Sequence, residues 1–231
     1  MQQKTAHSLV GVVACVVLLS AGPAKGAKGG MSECSTALAT CSTELATCTV
    51  DLAAVATEAH VPQTGQETSF AAGDDGDLMK GVPLPIPRFT VNGDGTVTDN
   101  LTKLIWLKDA GCIGLKTWSE ALTSAKTLAS GTCGLSDGSV AGDWRLPNVR
   151  ELFSVINYQF TPVAVSNTHG TAPWTVGDPF TGELGNDTTF WSSTTFPGNF
   201  SLAYLVQPTV GNNGPEQKTN TSNVWPVRGG K

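Results

Sequence analysis

The sequence is poor in charge. Only 14% of its 231 residues are Asp, Glu, Lys or Arg, against roughly 25% in ordinary globular domains, which excludes charge-driven disorder over most of the chain. Histidine is scarcer still. Of three, only His60 and His169 lie beyond the first 24 residues, and neither stands at a nucleophile–base spacing from a Ser, Cys or carboxylate pair. No basic run and no Lys/Arg stripe interleaved with aromatics occurs, and the net charge is −5. Nucleic acid and anionic membrane surfaces are therefore excluded as partners. No CxxC pair or His/Cys cluster offers metal ligands, so no cofactor is expected. Long apolar runs are also missing: the one candidate, Ser8 to Ala21, falls short of the roughly 20 residues needed to span a bilayer.

That run has a different reading. A basic start with Lys4, a short apolar stretch and the small, helix-breaking AGPAKGAKGG form the layout of a secretory signal peptide. Cleavage is expected after Ala24 or Gly26, and residues 1–24 are taken as the leader. Its loss removes Lys4 and leaves a net charge of −6, with no membrane span in the mature chain. The expected location is exported: periplasmic, cell-surface or extracellular.

Residues 25–60 carry the most regular feature, a seven-residue repeat of CSTALAT, CSTELAT and the degenerate CTVDLAA. Leu38, Leu45 and Leu52 follow Cys34, Cys41 and Cys48 by four positions, placing both types on one helical stripe in a and d registers. A helix so rich in Ser, Thr and Ala, with so narrow a stripe, needs partner helices. The pattern predicts an α-helical coiled-coil stalk that joins copies of this chain as a dimer or trimer, with facing cysteines able to cross-link in an oxidising compartment. Local pairing is disfavoured. Cysteines seven apart on a helix are separated by about 10.5 Å along its axis, beyond disulfide reach.

Residues 61–87 are rich in Gly, Pro, Thr and Asp without an apolar period and read as an extended linker. Its acidic cluster, Asp74, Asp75 and Asp77, lacks the ligand spacing of a calcium loop. Residues 88–231 form the expected globular domain. RFTVNGDGTVTDN alternates apolar and polar residues around Asn92-Gly93 and Asp94-Gly95, a hairpin signal. Read as a calcium loop, that turn would need acids where Thr90 and Leu101 stand. An apolar strand is expected around Leu104 to Leu107. Thr117 with Glu120, and Asn148 with Glu151, are capping boxes. The first opens a helix running through Ala129 to a stop at Gly131, and the second a helix burying Val149, Leu152, Phe153 and Ile156. Strands are expected again at 188–195, 202–206 and 223–228, giving an α+β domain. Cys112 and Cys133 bracket the first helix and are expected to form an intradomain disulfide.

Four segments, RFTVNGDGTVTDNLTKLIWLKDA, GTCGLSDGSVAGDWRLPNVRELFSVINY, FWSSTT and VWPVRGG, together resemble the domain of unknown function at the C-terminus of the Legionella collagen-like adhesin. The resemblance spans residues 88–230. It implies a C-type-lectin-like fold, the class that also holds the formylglycine-generating enzymes, and makes Trp144, Arg145, Trp191, Trp225 and Arg228 scaffold residues. It further implies attachment to surfaces and binding of sulfated polysaccharides by trimers on a fibrous stalk. This chain has no Gly-X-Y run, so the heptads would replace the collagen. Residues 61–231 carry 11 Lys and Arg against 15 Asp and Glu, which does not favour heparin-like ligands.

The function expected from these readings is an exported, oligomeric adhesin or lectin-like module for carbohydrate or another surface polymer. Its site is expected in the long loop between the second helix and FWSSTT, where Asn167, His169, Trp174, Asp178, Asn186 and Asp187 offer one ring and several hydrogen-bonding groups. A structural envelope or fibre subunit is the alternative. An enzyme of the formylglycine-generating type is disfavoured, because that family's copper-binding cysteine pair has no counterpart near the end of this sequence.

Overall fold

A computed structural model of the chain describes residues 61–182, 184–185 and 187–230. The leader and the heptad stripe of Leu38, Leu45, Leu52, Cys34, Cys41 and Cys48 lie outside the described residues, as do Glu183, Asn186 and Lys231. The chain divides into two units at His60/Val61, and only the second falls within the described residues.

The hairpin forms where the turn residues require it. β1 (Phe89–Val91) and β2 (Thr96–Asp99) pair antiparallel, Val91 opposite Val97. Gly93 and Gly95 between them both adopt positive φ, the conformation that two-glycine turns supply without strain. Gly95 is needed for a second reason: a Cβ there would lie 2.3 Å from the carbonyl oxygen of Gly134. β3 (Ile105–Leu107) extends the sheet, and β9 (Val227–Arg228), from the other end of the domain, completes it in the order β1-β2-β3-β9. A second sheet has the order β4-β8-β5-β6-β7, formed by β4 (Leu115–Thr117), β8 (Thr221–Asn223), β5 (Phe190–Thr195), β6 (Leu202–Gln207) and β7 (Asn212–Gln217). Its pairs are antiparallel except for β5 with β8.

Three helices are described: α1 (Asp75–Leu78), α2 (Trp118–Thr127) and α3 (Val149–Ser154). Both expected capping boxes are present. α2 packs on the sheet face carrying Trp191, Ala203 and Val224 through Ala121 and Ala125. α3 sends Leu152 into the main core with Phe190 and Val206, which point to the opposite face. The architecture is thus β-rich, with short helices. α2 stops at Thr127, short of the expected Ala129, because Leu128 turns to extended backbone and buries its side chain beside Leu135 in the main core.

Trp225, in the short bridge from β8 to β9, ties the two sheets together. Its ring lies 4.8 Å from Trp106, 4.8 Å from Phe180 and 5.4 Å from Phe190, and its indole N–H donates to the Leu107 carbonyl. Trp144 and Trp191 are equally buried; they donate to Ser139 Oγ and the Lys116 carbonyl, so each large ring fills core volume with its one donor satisfied. Arg228 stacks over Trp144 and pairs with the buried Asp137. Arg145 binds Glu151 through two hydrogen bonds of 2.6 and 2.7 Å and donates to the Gly229 carbonyl. Cys112 and Cys133 are joined by a disulfide.

Among the described residues one ion pair has both partners buried. Arg88, just before β1, and Asp99, the last residue of β2, are almost wholly inaccessible and bonded through both terminal guanidinium nitrogens. Arg88 also donates to the Ser154 carbonyl at the end of α3, and Asp99 accepts from Leu101 N–H and Thr102 Oγ1.

Residues 61–87, expected as an extended linker, instead fold back as a closed lobe on the domain. Val82 N–H donates to the Val61 carbonyl and Gln63 N–H to the Val82 carbonyl, closing the lobe, while Tyr158 N–H donates to the Thr64 carbonyl and Gln159 Oε1 accepts from Glu67 N–H. The acidic cluster serves this lobe. Asp74 caps α1 and accepts from the N–H groups of Phe70, Ala71 and Asp77, Asp77 accepts from Gly73 N–H, and Asp75 accepts from Thr64 Oγ1. The Phe70 N–H holds the Asp74 carboxyl below its ordinary pKa, against an opposing desolvation effect.

Candidate functional site

The long loop places its candidate residues in two groups. Asn167, His169, Trp174 and Asp178 lie in one subloop held by the bridges Ser166↔Pro173 and Thr175↔Asp178. Most of their polar atoms are spent on that fold. Asn167 Oδ1 accepts from Thr171 N–H at 3.0 Å, Asp178 Oδ1 accepts from Thr168 N–H and hydroxyl, and Trp174 donates to the Phe180 carbonyl at 3.1 Å while packing against the core. His169 is exposed. The loop is a structural wall as much as a display: Ala164, Val165, Phe180 and Leu184 are core residues.

Asp187 lies elsewhere, against the second sheet, where its Oδ1 accepts from Gln207 Nε2 at 2.9 Å. Gln207 belongs to a groove of about 220 Å³ lined by Thr189, Leu205, Gln207, Asn212, Asn213, Gly214, Pro215 and Glu216. Strand register explains the groove. On β6 and β7 the opposed pairs are Ala203↔Glu216, Leu205↔Gly214 and Gln207↔Asn212, and alternation puts all six on the face that α2 covers at Ala203. The middle pair has a side chain on one strand only. Gly214 is neither in the left-handed region nor crowded, since a Cβ built there meets nothing within 4 Å. Its missing side chain opens the hollow between Glu216 and Asn212.

The groove's polar atoms are rich in acceptors. Gln207 spends its N–H₂ on Asp187, leaving Oε1; Glu216 accepts from Gln217 N–H and Asn220 Nδ2 through Oε1, leaving Oε2. Among the described residues the Asn212 amide makes no hydrogen bond, so it offers both a donor and an acceptor. Leu205 supplies apolar surface, while Asn213 and Pro215, opposite Val206 and Tyr204, alternate to the other face and border the groove through their backbone. No Lys or Arg lines the groove. Lys218, the residue after β7, is bound to Thr195 Oγ1 and lies 3.9 Å over the Trp118 ring. Among the described residues no three His, Cys, Asp or Glu side chains converge as metal ligands, and no helix is long and apolar enough to cross a membrane.

Sequence reasoning missed this groove because NNGPEQ at 212–217 reads as a turn: Asn, Gly and Pro are all depleted in strands. The strand exists because β6 offers a full partner edge. Pro215 is tolerated because β7 is at the border of its sheet.

No curated protein matches the chain. The profile of the Lcl C-terminal domain family matches residues 95–228, a span running from the β1–β2 turn to β9, which takes in every strand but β1, with α2, α3, the disulfide and the groove. The chain is therefore a member of the Lcl C-terminal domain family.

Proposed function

We propose that the chain is an exported, oligomeric adhesin-related module of C-type-lectin-like architecture that binds carbohydrate or another surface polymer without catalysing a reaction. Family membership supports the adhesin relation, and the leader pattern supports export. The observation that carries the binding reading is the groove on β6 and β7. It combines unspent amide and carboxylate atoms with exposed apolar surface on a rigid sheet, the combination that hydrogen-bonds a ligand's polar groups while covering its apolar face. Such shallow sites bind weakly one at a time. A stalk that joins several copies would raise the overall affinity by about 10² to 10⁴.

The test is a glycan-array screen of the oxidised full chain beside the part from residue 61 onward. Saturable signal, stronger for the full chain, is the expected result. Silence from a demonstrably folded oligomer would reassign the chain to a structural envelope or fibre subunit.

A further inference from the structure

We infer that the β6–β7 groove selects glycans free of sulfate and carboxylate groups, and that Gly214 is the residue that admits them. This deepens the binding reading above and rests on it. The chemistry follows from the atoms left unspent. Gln207 Oε1 and Glu216 Oε2 only accept hydrogen bonds, and Asn212 adds one acceptor and one N–H₂. A sugar hydroxyl both donates and accepts and can satisfy every one of these atoms. A sulfate or carboxylate brings acceptors alone, so it leaves the carboxylate and the glutamine oxygen unpaired and adds like-charge repulsion from Glu216 and Asp187. Recognition of anionic groups ordinarily uses Arg or Lys forks, and the groove lining contains neither. Leu205 provides the apolar surface on which the C–H face of a pyranose ring can rest.

Gly214 makes the inference testable by sterics alone. A Cβ there meets no other atom within 4 Å and the position is on the groove face, so Gly214→Leu extends into the groove without backbone strain. The experiment is an array printing each glycan backbone in unsulfated and sulfated form, read with the oxidised full chain, Gly214→Leu and Asn212→Ala. Thermal unfolding of each is recorded alongside. The expected result is signal on unsulfated members, at least tenfold weaker on their sulfated partners. Gly214→Leu should lose at least tenfold with an unchanged melting temperature, and Asn212→Ala should weaken the same spots. Signal confined to sulfated members, or full signal from a folded Gly214→Leu, overturns this inference while leaving the binding reading in place. Silence across the whole array overturns the binding reading and this inference with it.

Discussion

Arg88 and Asp99 show what a single pair of residues does in a domain so sparing of charge. Both are nearly inaccessible, and burying two ions is tolerable only because they bond each other twice and draw further bonds from Ser154, Leu101 and Thr102. Removing one partner strands the other. Arg88→Met or Asp99→Leu should each destabilise the fold by about 3–5 kcal/mol in urea denaturation at neutral pH, whereas the double replacement should recover much of that loss. Equal destabilisation by the double variant would show that the bonds to Ser154, Leu101 and Thr102 matter more than the pair. Glu151 supplies a pH-dependent counterpart. Burial pushes its carboxyl upward, but the Arg145 fork and the Asn148 N–H outweigh it, so its pKa lies below the ordinary value. Thr117, through its hydroxyl and N–H, lowers Glu120 in the same direction. A depressed native pKa means stability that is present above the unfolded value, about 4.3 for Glu, and is lost as pH falls through the native one. The melting temperature should therefore decline below about pH 4.3, and Glu151→Gln should be less stable at neutral pH with a shallower decline. The capping role of Glu151 was legible in the sequence, because a box is a spacing of three residues. The Arg88–Asp99 pair was not: its partners meet across a hairpin, and charged residues are by default exposed.

At the scale of elements, legibility follows how locally each one is determined. The hairpin, β3 and both capped helices could be read because a turn, an alternation or a cap encodes them within about ten residues. β7 could not, since its sequence opposes strand formation and only its neighbour's edge recruits it. Nor could the lobe of residues 61–87, whose composition suggests a free connection but whose backbone finds partners at residues 158 and 159. Gly65 is where that lobe presses closely on the rest of the domain. It has φ of +90°, and a Cβ would lie 2.3 Å from Asn157 Oδ1. Gly65→Val should loosen the lobe, seen as faster amide exchange over residues 61–84 with the rest of the domain protected. For the same reason, a chain beginning at residue 88 should unfold at lower urea than one beginning at residue 61; identical midpoints would mean that the lobe contributes no stability. The disulfide acts on another element boundary, closing the segment that contains α2. Its reduction should cost about 3 kcal/mol in the chain-entropy model, measurable as a fall in urea midpoint with dithiothreitol that Cys112→Ser reproduces.

For the whole molecule, family resemblance was the part most readily seen in sequence, because WRLPNVREL, FWSSTT and VWPVRGG mark positions where buried rings and their partners coincide. The candidate site was the least readable part. The loop richest in candidate side chains uses them largely to hold itself together, while the groove arises from a register that sets a glycine opposite Leu205. A heptad segment carrying Cys34, Cys41 and Cys48 gives the assembly its own prediction. The oxidised full chain should migrate as a covalent oligomer without reductant, and replacing all three by Ser should abolish the ladder and lower apparent glycan affinity without altering that of the part from residue 61. A monomeric full chain in oxidising buffer would remove avidity from the mechanism.

The sheet that begins with β1 is finished only by β9, and Trp225 enters the core from the residues just before it. Pairing between such distant parts of a chain is slow to form. During synthesis, and during the export proposed above, nearly the whole domain must therefore be delivered before the first sheet is complete. On that proposal the chain travels as an open thread and gains its shape on the far side. A chain halted before Val224 should accordingly stay as susceptible to protease as an unfolded one, however much of its helix-forming sequence it already contains.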